Sequence, residues 1–486
     1  MKNFSITLLI ILGINSLLAN NLTVSNLSVN QTAQTVTFDL KWNNSWRVTT
    51  VPNNWDAAWV FVKFRTCGAP PSTPWSHGLL SVTLTDHNFS TALEPTLSDG
   101  SAVGIDASPN NTGAMLRRTA VGIYPNAGTH TITLKVTNLP TTGDIDVKVF
   151  GIEMVFIPQG AFYINNMYWG FTTQQITSET GVTVNTTNYC VNGSWNHSFS
   201  DLALNDNYPK GYAPFYLMKY EITQGQYADF LNTITSVAQT NRYLGNYNNF
   251  RNRTSNTGTS PNIFQTDRPD RAQNYLSWRD LSAYLDWAAL RPMSELEYVK
   301  ACRGEGPIIP GEFPWGSTTI IEENNITTPE NGTETGVTTN SNANYNGSTT
   351  WITGGDGGQG PYRVGIFALP TASRVTAGAG YYGNMELAGN VAELVVMCSN
   401  NGSAEFQRVW GDGMLNASGD HDVTGWPAAT ISGNTSTPNN RITTAGATWE
   451  SGWERLRVCD RYEGHYDSYQ GNVYGRQRTI GGRGAR

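Results

Sequence analysis

Thiols and imidazoles carry the widest range of chemistry, and in this 486-residue chain both are scattered. The five cysteines, Cys67, Cys190, Cys302, Cys398 and Cys459, include no CxxC pair and no tight cluster, which argues against a cysteine-ligated zinc site. An odd count leaves at least one without an intramolecular disulfide partner, and the wide spacings leave connectivity open. His77, His87, His130, His197, His421 and His465 contain no i, i+4 pair that would set two imidazoles on one helix face. Oxygen chemistry is better represented. Asp356 lies in Gly355-Asp-Gly-Gly-Gln-Gly, and Glu386 and Glu393 lie in Gly383-Asn-Met-Glu-Leu-Ala-Gly-Asn-Val-Ala-Glu-Leu. Carboxylates spaced by flexible Gly-rich backbone can wrap calcium, which takes about six to eight oxygen ligands; the same residues can also stand in solvated turns. Asp412, Asp460, Glu463 and His465 have the types for acid–base work, with nothing in the sequence to show that they converge.

A last group suits recognition. The run Arg461-Tyr-Glu-Gly-His-Tyr-Asp-Ser-Tyr-Gln-Gly-Asn-Val-Tyr-Gly-Arg-Gln-Arg is rich in Tyr, Ser, Gly, Asn and Arg, the residues of adaptable binding surfaces. Tyr462, His465, Tyr466, Tyr469, Tyr474 and Arg476, with Trp453 nearby, are the candidate ligand contacts. The alternative is that these aromatics fill the core beneath the last strands.

These groups must be positioned by two regions of different pattern. Over residues 21–150, short alternating runs such as Thr35-Val-Thr-Phe-Asp-Leu-Lys-Trp, Ala58-Trp-Val-Phe-Val-Lys-Phe, Leu80-Ser-Val-Thr-Leu and Thr129-His-Thr-Ile-Thr-Leu-Lys-Val are separated by Asn, Pro and Gly. Period-two alternation of β-branched and aromatic residues predicts an all-β sandwich of the immunoglobulin or fibronectin kind over 20–150. A last strand begins at Ile145, and the composition changes near Glu153. From 151 to 486 three capping boxes, Thr223-Gln-Gly-Gln, Ser277-Trp-Arg-Asp and Ser294-Glu-Leu-Glu, predict helix starts. After the second, Leu281, Tyr284, Leu285 and Ala288 recur at helical spacing and form an inward face. Long polar stretches at 172–209, 238–269, 318–360 and 400–450 are too long for ordinary connections and need another source of order, bound metal being one.

Residues 1–19 combine Lys2, an apolar run from Phe4 and small or polar residues around Ala19, the pattern of a secretory leader removed near Ala19 or Asn20. The apolar run is shorter than the roughly 20 residues of a spanning helix, and no later segment supplies one. An exported chain, in a periplasm, at a cell surface or outside the cell, is expected. The net charge of −7 with 14% charged residues offers no basic face for nucleic acid. The 15 Trp and 22 Tyr among abundant neutral polar residues suit a carbohydrate or protein partner, or self-assembly.

In collinear order, Met154-Val-Phe-Ile-Pro-Gln-Gly-Ala-Phe, Phe215-Tyr-Leu-Met-Lys-Tyr-Glu-Ile-Thr-Gln-Gly-Gln-Tyr, Arg291-Pro-Met-Ser-Glu-Leu-Glu-Tyr-Val-Lys-Ala-Cys-Arg, Phe313-Pro-Trp-Gly, Gly383 to Leu394, Arg408-Val-Trp-Gly-Asp-Gly and the terminal Ile480-Gly-Gly-Arg-Gly-Ala-Arg resemble the formylglycine-generating enzyme (sulfatase-modifying factor) family. The resemblance implies an α+β, C-type-lectin-like fold over residues 151–486. It also implies two structural calcium sites: Asn344 and Asp356 with backbone oxygens of Tyr345 and Gly358, and Glu386 and Glu393 with backbone oxygens of Gly389 and Val391. Glu386 stands where the family usually has Asp or Asn. The family's oxidase binds copper(I) through two cysteines, a soft metal on soft sulfur. Here Thr448 and Trp453 align near those positions, and Cys459 is the only cysteine after Cys398, so no copper is expected. Cys302 resembles a family cysteine bridged to a position where this chain has Gly484. The resemblance therefore implies a non-catalytic binding or structural member; an enzyme with altered chemistry, or a subunit of an extracellular assembly or secretion apparatus, are the other readings.

Overall fold

The computed structural model describes residues 22–107, 111–126, 128–164, 173–184, 202–246, 249–259, 261–346, 359–369, 371–398, 400–430, 441–458, 460 and 475–486. The chain is mostly β with few helices. Its first part forms strands β1 (Thr23–Asn30), β2 (Thr35–Lys41), β3 (Ser45–Arg47), β4 (Asp56–Thr66), β5 (Ser76–His77), β6 (Leu93–Thr96), β7 (Ala114–Arg118), β8 (Gly122–Tyr124), β9 (His130–Lys135) and β10 (Ile145–Ile157). A three-stranded sheet in the order β1-β2-β9 faces a larger one in which strand Phe215–Met218, β10, β4, β7 and β6 follow one another.

β4 is the wall on which the molecule is built. Successive side chains of a strand point to opposite faces, so Ala58, Val60, Val62 and Phe64 join Val36, Phe38, Leu40, Ile132 and Leu134 in the core between the sheets. Ala57, Trp59 and Phe61 point the other way, into a core with Tyr216, Phe230, Leu285 and Trp287. A strand buried on both faces needs an uninterrupted apolar run, and Ala57-Ala-Trp-Val-Phe-Val supplies it. Beside it β10 runs unbroken, pairing Ile145 with Thr66 at one end and Val155 with Asp56 at the other, then Met154 with Met218 of the strand Phe215–Met218. The expected boundary at 150/151 falls inside this strand, so both parts of the chain share one sheet and one core.

Leu80-Ser-Val-Thr-Leu, expected as a strand, is not one. Leu80 makes an isolated bridge to Val136, and Leu84–Asp86 form a 3-10 turn. Ser81 hydrogen-bonds Asp86 at 2.5 Å and accepts from the Thr83 amide, local bonds that compete with a ladder.

The helices begin where the capping boxes place them. α1 (Gln224–Leu231) is capped by Thr223, and α2 (Ser236–Arg242) follows it directly; α3 (Trp278–Trp287) is capped by Ser277 and α4 (Glu295–Arg303) by Ser294. In each of the three boxes both reciprocal bonds form. Leu281, Tyr284, Leu285 and Ala288 are fully buried, as the helical period requires. No helix among the described residues is long and apolar enough to cross a membrane.

Among the described residues of the 238–269 and 318–360 stretches, buried carboxylates tie distant segments together. Glu330 accepts from both Arg251 and Arg271, and Glu323 accepts from the Asn325 and Thr338 amides and from Ser341 Oγ at 2.6 Å. All five of these charged and hydroxyl side chains are buried.

Candidate functional site

The loop from Gly383 to Val391 runs into strand Ala392–Val396, which pairs with Ile442–Ala445 on one side and Ile480–Gly481 on the other. Its backbone is unusual: Glu386, Gly389 and Asn390 have φ of +48°, +79° and +60°. Left-handed geometry favours Gly and Asn. At Gly389 a Cβ would stand 2.5 Å from the Asn344 carbonyl oxygen, so only glycine allows the approach. That same carbonyl accepts the Asn390 amide at 2.9 Å, and Asn344 Nδ2 donates to Asn390 Oδ1 at 3.2 Å. The segments expected to supply two calcium sites are therefore bonded to each other. Tyr345 is half-buried beside Phe313 and Trp315. Asp356 and Gly358 lie outside the described residues.

Glu386 and Glu393 are both buried. Glu386 Oε1 accepts the Gly365 amide at 2.9 Å, and Glu393 Oε1 accepts Arg483 Nε at 2.8 Å. The second oxygen of each, Glu386 Oε2 and Glu393 Oε2, is buried with no hydrogen-bond partner. A third acid joins them. Glu221 accepts Asn390 Nδ2 at 2.6 Å and the Val391 amide at 3.1 Å, and its charge interacts with those of Glu386 and Glu393. Burial is the main cause that pushes the Glu386 carboxyl up to about 7 and Glu221 well above the usual carboxylate range; Glu393 is also raised by burial, against the pull of Arg483.

Arg483 is the paired cation at the centre of this cluster. Besides Glu393, it donates to the carbonyls of Met385, Glu386, Met218 and Lys219. Three buried carboxylates face the Arg483 guanidinium, with Arg363 also acting on Glu386, and the two orphaned oxygens are donors of the kind a hard cation takes. The free oxygens of Glu386 and Glu393 are donors of the type calcium takes; Gly389 and Val391, expected to lend backbone oxygens, lie in the loop between them. Glu221 and Arg483 were not legible as members. An acid just ahead of the Thr223 capping box was the available signal for Glu221, and the terminal Gly-Gly-Arg-Gly run for Arg483.

A second acidic group lies elsewhere. Among the described residues, Asp286, Asp412 and Asp422 have side-chain oxygens that all lie within 4.8 Å of one another. Asp286 Oδ1 accepts the Asp412 amide at 3.1 Å and Asp286 Oδ2 the Asp422 amide at 3.4 Å, while buried Lys63 donates to Gly413 O. Asp286 thus anchors the loop that contains Asp412. Asp460 lies 3.7 Å from Arg455, away from that group.

Of the candidate ligand contacts, Tyr462, His465, Tyr466, Tyr469 and Tyr474 lie outside the described residues, as does Glu463. Trp453 opens a 3-10 turn, is 44% exposed and is covered on one face by the Arg457 guanidinium at 4.9 Å. Arg476 pairs with Asp280 at 2.8 Å and donates to the Asn241 carbonyl, so its guanidinium is engaged with the first turn of α3. Thr448, expected with Trp453 near the family's two cysteine positions, is buried with its hydroxyl 3.0 Å from Ser451 Oγ, and Trp453 is the exposed indole just described. Cys302 carries a free, buried thiol, and Gly484 is packed against Leu285.

The family model described as "Sulfatase-modifying factor enzyme 1-like domain" matches residues 151–475. No curated protein matches the chain.

Proposed function

The chain belongs to the family of sulfatase-modifying factor enzyme 1-like domains, and on that premise we propose that it is an exported, non-catalytic member serving as a binding or structural module. In this reading residues 20–150 are an immunoglobulin- or fibronectin-like sandwich, and residues 151–486 a C-type-lectin-like unit braced by calcium. The C-terminal face from Trp453 to Arg476 meets a protein or carbohydrate partner. What supports the reading is the sequence, in which Thr448 and Trp453 stand near the positions of the family's thiolate pair. A buried threonine hydroxyl bonded to serine and an indole offer no soft sulfur for copper(I). The calcium part is supported by Glu386 Oε2 and Glu393 Oε2, buried without partners.

Titration of the purified, reduced protein with copper(I) against a competing chelator tests the first part. Competition without measurable transfer of metal to the protein is expected, and tight stoichiometric uptake would overturn the assignment. Calcium is tested by chelation in a thermal melt. A ligand that binds only the native state adds stability, so chelation should lower the melting temperature and added calcium restore it. Glu393→Gln should abolish that response. An unchanged melt after chelation is the contrary result.

A further inference from the structure

Lys219 directly follows the strand Phe215–Met218, and its side chain reaches the point where β10 passes the start of β4. Its Nζ lies 3.0 Å from Glu153 Oε2 on β10 and 3.3 Å from Oδ2 of Asp56, the first residue of β4. All three side chains are buried, the most open of them, Lys219, at 5% exposure. Aromatic rings close the site, Trp46 at 4.9 Å and Tyr220 at 5.4 Å from the amine nitrogen. An amine, a carboxyl beside it and a second carboxyl bonded to the amine form an ion-pair triad, and they are also the reactants of an amide condensation.

The two Asp56 oxygens are held differently. Oδ1 accepts Ser45 Oγ at 2.7 Å and the Trp46 amide at 3.0 Å, two fixed donors of the kind that stabilise a developing oxyanion. Oδ2 accepts Trp42 Nε1 at 3.2 Å and faces Lys219, so the amine stands beside the oxygen that would leave, one bond from the carbon it would attack. Reacting groups held about 3–3.5 Å apart gain most of what orientation can give.

Burial raises the Glu153 carboxyl, against the pull of Lys219. Burial opposes the Lys219 charge as well, but Glu153, Tyr220 and Asp56 outweigh it and hold the ammonium above its ordinary range. The resting triad is therefore an ion pair, and the free amine is its minor form. A minor form suffices for a step that occurs once, in a site that excludes the water needed to reverse it. Condensation also removes two charges that are costly to keep in a dry core.

We propose that Lys219 and Asp56 condense to an intramolecular isopeptide bond, with Glu153 as the catalytic proton carrier. Glu153 Oε2 takes a proton from the Lys219 ammonium, and the freed Nζ lone pair attacks Asp56 Cγ. The Cγ–Nζ bond forms as an electron pair moves onto Oδ1, between Ser45 Oγ and the Trp46 amide. When that pair returns, the Cγ–Oδ2 bond breaks. Two of the three ammonium protons, relayed by Glu153, leave with Oδ2 as water, and the third stays on the amide nitrogen. Glu153 ends as it began, and no oxidant or other reactant is consumed. The bond joins residues 163 apart and fastens β4 to the segment that follows Phe215–Met218.

The test is mass spectrometry of the full chain, reduced and denatured, and then of its tryptic digest. The intact mass should lie about 18 Da, one water, below the value for the N-terminus that sequencing finds. Amidation blocks cleavage after Lys219, so residues 48–63 and 211–242 should appear as one branched fragment. Glu153→Gln keeps both reacting groups and should return the mass to the uncondensed value, with circular dichroism confirming that the variant is folded. The parent's digest decides the bond itself, whether or not that variant folds. A parent at its full sequence mass overturns the proposal, and so does a loss of about 18 Da with normal cleavage after Lys219, which marks dehydration elsewhere in the chain. A folded Glu153→Gln that condenses as completely as the parent overturns the role of Glu153. Copper and calcium binding are read separately, so failure here leaves the proposed function standing.

Discussion

Replacing Trp59 with alanine tests whether β4 joins the two parts of the chain into one cooperative unit. Trp59 is 1% exposed, its Nε1 donates to Ala288 O at 2.8 Å, and Arg486 Cζ lies 3.8 Å from its ring centre. Truncating a buried Trp costs about 3–5 kcal/mol, and leaving the Ala288 carbonyl unpaired adds about 1 kcal/mol. A total near ~5 kcal/mol follows, since such terms are not strictly additive. Melting entropy is about 2.1 cal/mol/K per residue, so a single unit of about 460 residues changes by ~1 kcal/mol/K and should lose about 5 °C. If residues 22–150 melted by themselves, about 130 residues would carry the whole loss, and their transition would fall by roughly 18 °C. Differential scanning calorimetry separates the cases. One transition displaced by a few degrees supports a shared core; two transitions, the later one unmoved, would refute it.

Two further substitutions follow from buried charges. Lys300 is buried, donates to the carbonyls of Pro158 and Tyr212, and is pushed down to about 7 from 10.5, chiefly by desolvation and against the pull of Glu305 and Glu179. Between pH 7 and 10.5 the unfolded chain carries the extra proton, so stability should rise with pH across that window, by about 5 kcal/mol at most. Lys300→Met should flatten the rise of the urea midpoint between those limits, and an unaltered slope would count against the assignment. Arg476→Ala removes one of two cations on buried Asp280, the other being Arg242 at 3.3 Å. Losing one of two partners should cost about 2 kcal/mol, less than the 3–5 kcal/mol of a fully broken buried pair; a melt equal to the parent's would mean that the Arg476–Asp280 pair adds no net stability.

What could be read from the sequence was local. A capping box is closed by residues three apart, so Thr223, Ser277 and Ser294 announce their helices without tertiary information. The strand periods at 35–41 and 130–135 were equally plain because one face of each meets solvent. The joining of the two parts was not: the run at 58–64 was grouped with the alternating strands, although Ala57-Ala-Trp-Val-Phe-Val is apolar throughout and so signals burial on both faces. Charged residues misled most. Glu221, Glu330, Arg251, Arg271 and Arg483 are all buried, while charge in a sequence reads as surface. Glu386 is instructive in another way. Its departure from Asp or Asn reads as a longer ligand, yet its φ of +48° means the backbone also favours the shorter residues.

Those buried charges organise the described parts of the polar stretches at 238–269 and 318–360, where regular elements are few. A Gly- and Asn-rich segment cannot bury enough apolar surface to offset its conformational entropy. A carboxylate such as Glu323, saturated by two backbone amides and two hydroxyls, fixes several residues at once. The same logic ties the acid cluster to the β4 wall. Arg483 holds Glu393 and the carbonyls of Met385 and Glu386, while three residues later Arg486 lies over Trp59 and donates to Ala289 O. Residues 480–486 are therefore a short covalent link between the proposed calcium site and the shared core. If both readings hold, chelation and Trp59→Ala must displace one and the same calorimetric transition. Chelation that shifts a separate, smaller transition would show that the acid cluster braces only its own loops.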